Sequence, residues 1–267
     1  MFLEIRFPFN NNLQLHYYFF IFMLHNYKIV RIYKSLATVD FERDDNQMIK
    51  QNKVKVFVAY LIAFFSLWAL VELVLFEKIT SVVGNGVLSE FIREGVIKNL
   101  VWTVPAGVLI YRFKDEVFIT LKEMFSSKVN WLKYLPVFII FTIYLLGGAI
   151  LQNGKLTISN NFGFENVISL LFVGLTEELV FRGWLLNLTV KENKKWISIC
   201  INALLFLVIH FPIWIQEGVF ISNFTSFGFL SILILSVIFS WTFIKSRNIL
   251  VPIALHTYWN LLIDLFF

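Results

Sequence analysis

One cysteine, Cys200, stands in 267 residues, so an intramolecular disulfide is excluded. Charge is scarce too: Asp, Glu, Lys and Arg make up 15% of the chain, against roughly 25% in ordinary soluble domains. No His-Glu-x-x-His zinc motif occurs, and neither an internal repeat nor a low-complexity tract is evident. What fills the chain is apolar. Hydrophobic residues reach 58%, with 31 Phe and 8 Trp, and the mean hydropathy is +0.73. A soluble fold cannot hide that much apolar surface, so a bilayer must serve as solvent for most of it. The net charge of +5 does not point to nucleic acid, because Lys and Arg sit in short loops between apolar runs. That placement suits anionic lipid and topology signalling.

Apolar runs of about 20 residues, the length that crosses a bilayer, fall at 56–76, 96–113, 132–151, 164–188, 196–213, 220–244 and 250–267. Helices are expected throughout, since lipid offers unpaired backbone groups no partner. The expectation is an all-α bundle of about seven spans, with the lipid bilayer as its first partner.

Between the second and third runs, Val117, Phe118, Leu121, Met124 and Phe125 recur at helical spacing. Lys114, Asp115, Glu116, Lys122, Glu123 and Lys128 take the other side. This predicts an amphipathic helix on the membrane surface over 114–128. Basic residues alternate between loops: Lys50, Lys53 and Lys55 precede the first run, and Lys191, Lys194 and Lys195 follow the fourth. Such alternation predicts a cytoplasmic N-terminus and an external C-terminus. Residues 1–47 fit poorly. The apolar stretch 17–24 is too short to span and no small-residue cleavage site follows it. A dispensable extension or an overcalled start over 1–47, ahead of a membrane domain over 48–267, is the expectation.

Ionisable groups inside a bilayer are costly, and each is a functional candidate by default. The fourth run holds Glu177, Glu178 and Arg182. Glu178 and Arg182 are four apart and share a helix face, where they can pair. Glu177 points about 100° away and pairs with neither by spacing. Asn202, Phe206 and His210 share a face in the fifth run, as do His256 and Asn260 in the seventh. Counting 1.5 Å per residue from the cytoplasmic ends puts Glu177 and Asn260 roughly 15 Å deep, His256 roughly 10 Å and His210 roughly 21 Å. A shared polar pocket built from three helices is expected. Glu72 and Lys98 lie near run ends, where snorkelling explains them. Gly147 and Gly148 are read as a close helix contact, and Pro212 as opening the helix after His210.

Glu-Glu-x-x-x-Arg at 177–182, Phe-x-x-x-His at 206–210 and His-x-x-x-Asn at 256–260 occur in that order on three late helices. The set resembles the CAAX prenyl endoprotease and bacteriocin-processing family, also called CPBP or Abi, which includes proteins similar to lysostaphin-resistance factors. The resemblance covers roughly residues 130–267. It implies an intramembrane endopeptidase acting on a membrane-associated peptide or protein. Glu177 would be the base that activates water, and His210 would position the water or the substrate. His256 and Asn260 would stabilise the oxyanion, while Glu178, Arg182 and Phe206 would support the site. No cofactor is expected. The alternative is a zinc ion on Glu177, His210 and His256 with one open position, which the spacing does not support independently. Richness in Phe, Ile, Asn and Lys suits an AT-rich genome, and favours peptide maturation or bacteriocin self-immunity over prenyl-protein processing. The rival classes are a non-catalytic membrane scaffold or immunity protein, which would tolerate loss of Glu177, and a proton-coupled transporter, for which internal repeats are common. Oligomeric state is not legible.

Overall fold

The structure, a computed structural model, describes residues 45–267; apart from 45–47, the expected extension over 1–47 lies outside the described residues. The chain divides into two compact units, residues 1–56 and 57–267. Among the described residues, the first holds the opening turns of helix α1, and the second holds the elements that follow. Helix α1 (Asp45–Leu70) runs on through a π-helical turn, Val71–Leu75, into Phe76–Val83. Helix α2 starts as Val87–Glu90, passes through π-helical stretches at Phe91–Ile97 and Asn99–Thr103, and ends as Val104–Arg112. Then come α3 (Leu121–Ser126), α4 (Leu135–Asn153) and α5 (Phe164–Glu178), the last prolonged by π-helical Leu179–Leu186 and by Asn187–Thr189. Helices α6 (Lys195–Val208), α7 (Phe211–Gln216), α8 (Phe220–Thr225), α9 (Gly228–Ser246) and α10 (Leu250–Phe266) complete the bundle. No strand occurs among the described residues.

The distribution of side chains is that of a membrane protein. Ile143, Leu204 and Ile234 are 69%, 56% and 59% exposed, whereas Glu178 and Arg182 are each 0% exposed. Apolar groups face outward and charges face inward, as a hydrocarbon solvent requires. Among the described residues, four helical stretches are long and apolar enough to cross a bilayer: Val54–Val83, Leu135–Asn153, Lys195–Gln216 and Gly228–Ser246, with Leu250–Phe266 shorter. The other expected spans are helical but broken by charges and π-helical turns. The sixth begins at Gly228 instead of residue 220. Ser222, Asn223 and Ser226 turn their side chains back onto local carbonyls, and Phe227 takes φ 60°, which ends the short α8.

The amphipathic segment expected over 114–128 is helical only over Leu121–Ser126. Thr120 starts that helix by a capping box: its hydroxyl accepts from Glu123 N at 3.3 Å, and Glu123 Oε2 accepts from Thr120 N at 2.9 Å. The Thr120 N–H and hydroxyl together hold the Glu123 carboxyl below the usual range. Ahead of it the backbone is claimed by Asn187, whose side chain accepts from Ile119 N at 2.8 Å and donates to Ile119 O at 2.7 Å. Those bonds tie the segment to the end of α5 and prevent a longer helix.

Helix α5 runs through the middle of the bundle, in contact with α2, α6, α9 and α10. Its approach to α10 depends on Gly174. A Cβ there would overlap the Thr257 hydroxyl and lie 3.3 Å from Ile253 O, so only glycine lets the two backbones come this close. Gly147, expected at such a contact, has nothing within 4 Å of the place a Cβ would take. Behind α10, Phe141, Leu235, Phe239, Val251 and Leu255 form an apolar core with α4 and α9. Together these contacts fix where α10 presents His256.

Candidate active site

The chemistry begins where α5 loses its α-helical hydrogen bonding. Glu177 and Glu178 are its last α-helical residues, and Arg182 lies in the π-helical stretch that follows. Widened turns of this kind cost backbone hydrogen-bond geometry and often mark functional positions. The expected pair is present: Arg182 Nη1 lies 2.9 Å from Glu178 Oε1. Arg182 Nη2 also donates to Ser236 O at 3.1 Å and Ser236 Oγ at 2.8 Å on α9. The guanidinium carbon stacks 4.4 Å from the Phe206 ring centre. Glu178 does more than pair with Arg182, because the same Oε1 lies 2.9 Å from His256 Nδ1. His256 Nε2 then stands 4.0 Å from Glu177 Oε2.

His210 is set by the end of α6. A regular helix would give Phe206 O to the N–H of residue 210, but His210 N turns to Leu207 O at 3.1 Å. Pro212, inside the first turn of α7, forbids an unbroken helix here. The freed Phe206 carbonyl takes His210 Nδ1 at 2.7 Å. A carbonyl only accepts, so Nδ1 carries the hydrogen, and Nε2 of the neutral ring is left as an acceptor. Phe206 therefore serves twice: its carbonyl orients His210, and its ring lies edge-on to His256 with centres 5.9 Å apart. Asn202, on the same face of α6, donates to Phe181 O at 2.8 Å and accepts from Ser240 at 3.2 Å, and so joins α5, α6 and α9.

Glu177 does not stand alone, contrary to its spacing in the sequence. Lys98 Nζ, on α2, lies 3.2 Å from Glu177 Oε1 and 2.7 Å from Glu94 Oε2. Lys98 was expected to snorkel at a span end, and so was Glu72. Both are instead buried, at 4% and 1% exposure. The reason is their partners. Lys98 is flanked by the rings of Trp68 and Trp102, each centred 4.9 Å from Nζ, and Glu72 faces Arg93 at 3.8 Å. Arg93 in turn reaches Glu90 at 2.8 Å and Glu94 at 3.2 Å. Glu90, Arg93 and Glu94 are themselves helical and ion-paired. Glu72, Glu94, Lys98, Glu177 and His210 line one cavity of about 80 Å³. Glu177 Oε1 is engaged by Lys98, whereas the buried Oε2 has no hydrogen-bond partner.

Glu177, His210 and His256 are thus gathered as expected. Asn260, one turn beyond His256 on α10, is half-buried and outside the hydrogen-bonded cluster. The sequence reading missed Lys98, Glu94, Glu72 and Ser236. The Glu94/Lys98 spacing of four, with Lys98 inside an apolar run, was the available signal. Five carboxylic side chains (Glu72, Glu90, Glu94, Glu177, Glu178) and three basic ones (Arg93, Lys98, Arg182) are joined by these pairs and through His256. Among the described residues no group of three or more His, Cys, Asp or Glu is arranged to hold a metal ion. Lys98 already stands as the cation against Glu177, and the residues as placed do not fit the zinc alternative.

A family model described as type II CAAX prenyl endopeptidase Rce1-like matches residues 159–262. The matched stretch holds all three motifs; α1 and α2, with Glu72, Glu94 and Lys98, precede it. No curated protein and no solved structure matches the chain.

Proposed function

We propose, from the likeness of residues 159–262 to the Rce1-like type II CAAX prenyl endopeptidases, that the protein is a glutamate-dependent intramembrane endopeptidase. The observation that carries this reading is the asymmetry of Glu177. One oxygen is held by Lys98, while the other is buried and unbonded. An unbonded buried carboxylate oxygen is costly unless something binds there, and water is the natural occupant of a cavity of about 80 Å³ lined by Lys98, His210 and three carboxylates.

In the reaction, Glu177 takes a proton from that water as its oxygen attacks the peptide carbonyl. His210 Nε2 accepts the water's second hydrogen and fixes its direction. The carbonyl oxygen becomes an oxyanion, received by His256 Nε2–H and the Asn260 side-chain amide. With Nδ1 donating to Glu178, Nε2 of His256 donates only as an imidazolium. The proton on Glu177 then passes to the leaving nitrogen as the C–N bond breaks. Glu178, Arg182 and Phe206 keep the imidazole and the helix ends in register.

The substrate in this reading is a membrane-associated peptide or protein, with peptide maturation or bacteriocin self-immunity as the biological setting. In this reading the N-terminus is cytoplasmic and the C-terminus external, a topology favoured by the alternation of basic residues between loops. The test compares membrane peptides from cells expressing wild-type protein with those from cells expressing Glu177→Gln at equal level. A cleaved species found only with wild type is expected. Identical peptide sets, with the cellular function retained in the variant, would favour a scaffold instead.

A further inference from the structure

We infer that Lys98, outside the family's motifs and outside the matched stretch, is a positioning residue that selects which oxygen of Glu177 acts as base. The inference rests on the endopeptidase reading and deepens it. Lys98 enters the site by an unusual backbone path: it joins two π-helical stretches, Phe91–Ile97 and Asn99–Thr103. Asn99 Nδ2 donates to Gly95 O at 2.9 Å, satisfying a carbonyl within the first of them. Such a path persists only where the surrounding packing sustains it.

The ammonium group is confined on four sides. Glu94 holds it from its own helix at 2.7 Å, and Trp68 and Trp102 flank it. The fourth side is Glu177 Oε1. Glu94 and the two rings would hold an ammonium here without Glu177, so Lys98 is an anchored cation toward which Glu177 is turned. With Oε1 committed, Oε2 is the oxygen left to accept a proton, on the side where His256 stands. Loss of the anchor frees the carboxylate to rotate, and misplacement of a catalytic group by about 1 Å costs on the order of 10²-fold in rate. Substrate binding does not pass through Lys98, so KM is expected to hold.

Lys98→Met alone strands two buried carboxylates and risks misfolding. The informative pair is Glu94→Gln and Glu94→Gln/Lys98→Met, the second of which removes one charge of each sign. Glu94→Gln, whose amide oxygen still accepts from the Lys98 ammonium, is expected to lose some kcat, and less than the double variant. The double variant is expected to fold, and to lose about 10²-fold in kcat with KM within about twofold. Equal kcat in the two variants, or a loss confined to KM, would overturn the inference. A stability cycle on Lys98→Met and Glu177→Gln reads the ion pair without any substrate. Coupling between the two changes is expected, and simple additivity counts against the inference. Wild-type protein that cleaves nothing yet shows this coupling refutes the endopeptidase reading and not the Lys98–Glu177 pair.

Discussion

Replacing Arg182 by methionine removes a guanidinium that is wholly enclosed. It bonds Glu178 at 2.9 Å and Ser236 at 2.8 and 3.1 Å, with the Phe206 ring beneath it. Glu178 would remain, 0% exposed, with His256 as its one close partner. An exposed pair is worth about 0–1 kcal/mol because water screens it. Neither side chain here touches solvent, so the larger figure for a broken buried pair, about 3–5 kcal/mol, applies. Changing Glu178 to glutamine as well removes the orphaned charge, and methionine fills the volume beside Phe206. The double variant is therefore expected to lie only about 1–2 kcal/mol below wild type. The assay is reversible unfolding in mixed detergent micelles, followed by tryptophan fluorescence, for the two single variants and the double. Strong coupling is expected, with Arg182→Met less stable than the double. A double variant as unstable as the two single losses added together would refute the claim that a buried charge balance holds this helix.

Gly174→Val should cost about 1–3 kcal/mol through overpacking and slow cleavage by shifting His256, while Gly147→Val leaves both unchanged; thermal stability and turnover of the pair check it. Chelator treatment should leave activity intact, and recovery of activity with stoichiometric zinc would defeat the metal-free mechanism. A chain beginning at Met48 should insert in the membrane and cleave at the wild-type rate, as measured by membrane fractionation and peptide turnover.

The parts of the site legible in the sequence are those whose partners are one helical turn apart or share a motif. Glu178 and Arg182 are such a pair, and Pro212 after His210 foretold the break that frees the Phe206 carbonyl. All-α architecture followed from hydropathy, because lipid leaves the backbone no other choice. Lys98 was read wrongly because its decisive partner lies on another helix and a cation near a span end ordinarily snorkels. The register change that turns it inward comes from π-helical turns, which carry no hydropathy signature. Gly174 was passed over in favour of Gly147-Gly148 because a glycine's neighbour across a helix contact is set by rotation about the helix axis. The surface helix came out short because Asn187, far along the chain, captures the backbone at Ile119.

The central claim is that Glu177 activates water and does not attack the peptide itself. It is tested by a single turnover of purified, liposome-reconstituted protein in ¹⁸O-water, with the peptide identified from the Glu177→Gln comparison. One labelled oxygen in the new carboxyl terminus of the product, with Glu177 unlabelled, is the predicted result. Label in the Glu177 side chain, or equal turnover by Glu177→Gln, would contradict it.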